Sequence, residues 1–115
     1  MKIKRPTISI TMTTPDMWVM LRIKNENETF YKILAGFRGG YLSGDSWRLN
    51  SGITKADVKD KAIDFHGYSG SIYTCNKDLY GTNMLMQGVI ESLKKQADIK
   101  VMPKDTKWNK LNYGS

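Results

Sequence analysis

Small polar and apolar residues alternate from Thr7 to Met12, the period-two pattern of a half-buried strand. Thr13-Thr14-Pro15-Asp16 then makes a turn, and Trp18-Val19-Met20-Leu21-Arg22-Ile23 is a second strand, apolar enough to be largely covered. Asn25 to Glu28 form a polar hairpin loop, and the third strand runs from Phe30 to Phe37. Gly39-Gly40 and Ser43-Gly44-Asp45 mark an excursion before Trp47-Arg48-Leu49, a fourth strand. Lys61 to His66 and Ser71 to Cys75 are the fifth and sixth, joined by Gly67-Tyr68-Ser69-Gly70. Short hairpin connections favour an antiparallel meander, because parallel neighbours need long crossovers.

The period changes after Gly81. Leu85, Val89 and Leu93 recur at helical spacing, Met86 and Ile90 widen the stripe, and Thr82 or Asn83 can cap the first turn. Gly88 weakens a helix, so it is expected to let this one pack closely on the sheet. Ile99 to Met102 adds a short last strand before Pro103. The expected fold is α+β: an antiparallel meander of five to six strands, one main C-terminal helix and a short last strand. Residues 1–115 form a single domain, with 1–5 and 104–115 as polar, Lys-rich tails that order against a partner. One helix does not cover Trp18, Tyr31, Tyr41, Trp47 and Tyr73 together, so a homo-oligomer is expected.

Charge alters this picture more than composition does. Lys and Arg number 18 against 11 acidic residues, a formal charge of +7. That field attracts nucleotides, nucleic acid or an acidic protein surface, although the same charge also serves simple solubility. Arg5, Arg22, Arg38 and Arg48 all lie in the first half, so a bidentate phosphate clamp is expected there and not among the later lysines. The chain has one Cys and one His, with no apolar run of membrane-spanning length and no signal-peptide core. No membrane association and a cytoplasmic location are the expectations.

Catalytic constellations are sparse. One Cys and one His do not make a metal site, and Asp45, Asp57, Asp60 and Asp64 sit in turn-like or solvent-facing contexts. Cys75 and His66 are the sole nucleophile and base pair on offer, and each reads more plainly as structural. No catalytic residue, metal or cofactor is assigned, and the chain is read as a binding protein.

The loops are better candidates. Phe37-Arg38-Gly39-Gly40-Tyr41 sets an arginine between aromatics beside backbone amides, and Trp47-Arg48 sets a second against an indole. Gly67 to Tyr73 adds hydroxyls and two phenols, and Tyr80-Gly81-Thr82-Asn83 leads into the helix. An aromatic for a base, a guanidinium for phosphate and an amide for a base edge are the parts of nucleotide recognition. The plainer alternative is turn geometry for the glycines and core packing for Trp47 and Tyr73.

The layout of the sheet and helix, with Gly44-Asp45-Ser46-Trp47-Arg48, Ser69-Gly70-Ser71-Ile72-Tyr73 and Asn83, resembles the phage-encoded anti-Thoeris sponge proteins. That family sequesters cyclic ADP-ribose immune signals, and some members also take up cyclic oligonucleotides. The resemblance implies a non-enzymatic sponge acting in the cytoplasm of an infected bacterium, with a small cyclic nucleotide held in an oligomeric pocket. It implies that Tyr73 stacks on adenine, Asn83 hydrogen-bonds the ligand and Arg48 meets phosphate. The family also uses a C-terminal arginine, and this chain has none after Arg48, leaving Lys100 in that place without bidentate geometry. The alternative reading is a small basic phage accessory protein that binds nucleic acid or inhibits a host protein.

Overall fold

A computed structural model of the chain describes residues 12–39 and 44–113. Over these residues the strands are β1 (Met12–Thr13), β2 (Met17–Lys24), β3 (Thr29–Phe37), β4 (Ser46–Leu49), β5 (Ile53–Val58), β6 (Ala62–Gly67), β7 (Ile72–Asn76) and β8 (Asp98–Val101). Helix α1 (Met84–Lys94) lies between β7 and β8. The strands form two four-stranded sheets, ordered β1-β7-β6-β5 and β4-β3-β2-β8. Every pairing is antiparallel except that of β1 with β7.

The α+β class therefore stands, while the single meander of five to six strands is corrected to two sheets. The first sheet, the second sheet and α1 stack as three layers, with an apolar core in each of the two gaps. In β2, Trp18 and Met20 face the first sheet while Val19 and Leu21 face α1. In β3, Ile33 and Ala35 face the sheet and Leu34 the helix. A strand buried on both faces carries an unbroken apolar run, as β2 does. β6 and β7 instead alternate, with Ile63, Phe65, Tyr73 and Cys75 buried and their neighbours partly exposed. These two are the outer layer.

The chain changes sheets between Leu49 and Ile53, a step that hairpin logic hides. Asn50 is buried there; its N–H donates to the Ile33 carbonyl at 3.1 Å and its Oδ1 accepts from the Ile33 N–H at 2.8 Å. The side chain thus continues the ladder as the backbone leaves it. Gly52 takes φ +132, and a Cβ there would lie 2.7 Å from the Tyr68 ring. β5 beyond it has no counterpart in the expected elements, since a register shift between Ile53 and Lys55 breaks its alternation.

Residues 104–113 are not a tail. Trp108 is 6% exposed, with its ring 5.4 Å from that of Trp18 and 5.9 Å from that of Phe65. Tyr113 packs edge-on to Tyr31, and its hydroxyl donates to the Trp108 carbonyl. Burying two large aromatics offsets the entropy of ordering a polar segment. The first sheet and this segment cover Trp18, Tyr31 and Tyr73, so most of the aromatic excess that suggested an oligomer is accounted for within one chain. Tyr41, Met1 to Arg5 and Thr7 to Thr11 lie outside the described residues.

Candidate functional site

Two turns bring distant segments to the N-terminus of α1. Asp16 accepts the Arg38 backbone N–H at 2.7 Å, tying the end of β3 to the turn before β2. Gly39 lies so close to the Gly44 backbone that a Cβ would collide with it, which draws Arg38 and Asp45 together across the loop base. From the other side, Asn76 caps a short 3₁₀ turn by accepting the Asp78 N–H at 2.8 Å. Gly81 donates to the Trp18 carbonyl at 2.9 Å, fixing the approach to the helix.

The result is an open cleft of about 430 Å³ whose wall includes Asp16, Arg38, Asp45, Asp78, Thr82 and Asn83. Asn83 is the N-cap: its Oδ1 accepts the Met86 N–H at 2.8 Å. Its Nδ2 is buried without a hydrogen-bond partner. Arg38 and the N-terminus of α1, capped by Asn83, thus share one cleft with three carboxylates. The one guanidinium and the amides at the head of the helix suit a phosphate, and the carboxylates suit the hydroxyls of a ribose or the exocyclic amine of a base.

The other expected ligand residues lie elsewhere. Tyr73 is 3% exposed and part of the core between the sheets, so it offers no face for stacking on a base. Burial pushes its phenol pKa up, and the Arg48 guanidinium beside it works the other way. Arg48, beside Tyr73, is itself exposed on β4. Trp47 points to the opposite face of β4, where it lines a groove beside α1 with Met84, Leu85 and Val89. Lys100 is exposed on β8, at the far edge of that sheet from β4. Within one chain, then, Arg38 and Asn83 line one cleft, Arg48 lies beside Tyr73, and Lys100 and Trp47 join neither pair.

Cys75 and His66 do not form a pair either. Cys75 faces the core, where burial pushes its thiol far above the ordinary range, while His66 lies on the open face of β6. There His66 Nε2 is 3.0 Å from Asp57 Oδ2, and that hydrogen bond holds the Asp57 carboxyl below its usual pKa. Among the described residues no group of three His, Cys, Asp or Glu side chains could hold a metal ion, and no helix is long and apolar enough to cross a membrane.

Asp16 and Asp78 were not singled out from sequence. The available signals were local: Pro15-Asp16 at a strand start and the Asn76-Lys77-Asp78 capping pattern. Comparison with family models, with curated proteins and with solved structures found no match to this chain.

Proposed function

We propose that this chain is a non-enzymatic binding protein that sequesters a small anionic cyclic nucleotide, as the resemblance to phage anti-Thoeris sponges implies, in the cytoplasm of an infected bacterium. The observation that supports this most is the cleft at the N-terminus of α1, which Arg38 and the helix-capping Asn83 both line. Phosphate takes Arg38 and the amides at the head of the helix, and sugar hydroxyls or a base amine take Asp16, Asp45 or Asp78. No reacting group is needed for sequestration. Lysines on the outer sheet are partly neutralised, Lys59 by Asp64 at 3.5 Å and Lys55 by Asp57 at 3.7 Å, which weighs against a continuous track for nucleic acid.

Calorimetric titration with cyclic ADP-ribose isomers and cyclic oligonucleotides tests the reading. Asn83→Ser keeps a helix cap and removes the amide donor, and Arg38→Ala removes the guanidinium. Each is expected to weaken binding by roughly 10- to 100-fold, the worth of a charge-assisted hydrogen bond. No affinity of the unaltered protein for any of these ligands refutes the proposal. Tight binding to single-stranded DNA that collapses with added salt would replace it with the nucleic-acid reading.

A further inference from the structure

We propose that the outer edge of β4, with the groove between Trp47 and α1, is a two-fold interface for a second copy of this chain. The inference does not depend on the nucleotide reading.

β4 ends the second sheet, and among the described residues no strand pairs with its outer side. The Asn50 N–H points inward to Ile33, so alternation along β4 directs the backbone groups of Trp47 and Leu49 outward. Such a row of open donors and acceptors is a template for another strand. The groove of about 450 Å³ on the α1 side continues from that edge. Trp47 is 44% exposed there, Met84 91% and Leu85 39%. No charged residue lines it, in a chain of net charge +7. Exposed apolar side chains grouped beside an open strand edge suit a partner that covers both. Gly88 sits on its floor, and nothing lies within 4 Å of where its Cβ would be, so the helix backbone is open to close approach from outside.

The occupant must bring a strand edge, apolar side chains on the helix side and tolerance of Arg48 on the other. A second β4 brings all three. A two-fold axis perpendicular to the sheet keeps helix side against helix side, so an antiparallel register can centre on Trp47 or on Arg48. Centring on Arg48 sets two guanidinium groups directly opposite, which is unfavourable. Centring on Trp47 instead opposes the two indoles, pairs their outward backbone groups, and sets Arg48 against Ser46 of the second copy.

Sedimentation equilibrium and paired cysteine variants test this. The unaltered protein is expected to be a dimer, and Trp47→Glu to raise its dissociation constant by ~30-fold or more, as loss of a central aromatic anchor does. Ser46→Cys and Arg48→Cys chains, mixed and oxidised, should cross-link, because opposed residues on antiparallel strands have Cα atoms within disulfide reach. Neither variant alone should cross-link, and buried Cys75 does not compete. A monomer at high micromolar concentration overturns the proposal. So does a dimer indifferent to Trp47→Glu, or cross-linking by Arg48→Cys alone. Because the cysteine pair leaves Trp47 in place, a folding defect in Trp47→Glu does not remove the test.

Discussion

The indole Nε1–H of Trp18, on β2, donates to the backbone carbonyl of Asn76, on β7, at 2.7 Å. This bond crosses from one sheet to the other. It binds the middle layer to the 3₁₀ turn that Asn76 caps, and so to the approach of the candidate cleft. The same ring touches Phe65, Tyr80 and Trp108, with centroids 4.6–5.4 Å away.

Trp18→Phe should therefore destabilise the protein by about 2–4 kcal/mol. The change leaves a cavity and orphans the Asn76 carbonyl. Urea unfolding followed by far-UV circular dichroism measures it; a loss under 1 kcal/mol would show that the bridge adds little.

Trp108→Ala carries a second expectation. A polar tail would lose almost nothing, whereas a residue packed on Trp18 and Phe65 should cost ~3–5 kcal/mol. The midpoint of thermal unfolding separates the two.

Tyr80 ties the helix approach to the second sheet: its hydroxyl donates to the Met102 carbonyl and accepts the Met20 N–H. Burial pushes its phenol up to about 12, with the Met20 hydrogen bond pulling the other way. A raised folded-state pKa contributes stability that is complete below the unfolded value of about 10 and is lost as pH rises toward 12. Stability should fall across that alkaline window. Tyr80→Phe should flatten the fall in part, since burial also raises Tyr73 and Tyr113, and should cost about 1–3 kcal/mol at neutral pH. Denaturant midpoints at pH 8 through 11.5 provide the check.

Gly36 and Gly88 should respond to alanine with opposite sign. A Cβ at Gly36 would fall 2.5 Å from the Met86 sulfur and 2.9 Å from Met17 Cγ, so Gly36→Ala should destabilise by about 1–3 kcal/mol. A Cβ at Gly88 meets nothing, so Gly88→Ala should stabilise the folded chain by up to ~1 kcal/mol through helix propensity. Chemical denaturation of both variants, read at the same protein concentration, tests the contrast.

Much of the local structure was legible in the pattern of residues. The apolar run of β2 reads as a strand largely covered, and the segments that became β6 and β7 read as strands joined by Gly67-Tyr68-Ser69-Gly70. The cap was legible as Thr82 or Asn83, and it is Asn83. The covering of β2 was not, because the change of sheet rests on Asn50 reaching back to Ile33 and on Gly52 at positive φ, neither of which has a periodic signature. Trp108 was hidden by the lysines around it, which keep their charges in water while the indole turns inward. Tyr73 carried no sign of which face of its strand it would take, since a shift of one residue reverses that. In the cleft, Arg38 and Asn83 were each legible as candidates. Their place in one cleft was not, because it depends on Asp16 holding the Arg38 backbone and on the Gly39–Gly44 approach.

The placement of Trp108 also sets the order of events during synthesis. Strands β2 and β3 emerge from the ribosome early and can pair at once as a local hairpin, yet the aromatic that seals the gap over Trp18 is among the later residues to appear. Until it does, Trp18 and Phe65 lack the indole that packs against both rings in the finished fold. A partner so distant in sequence makes closure of this part of the core a long-range event, slower than pairing of the local hairpin.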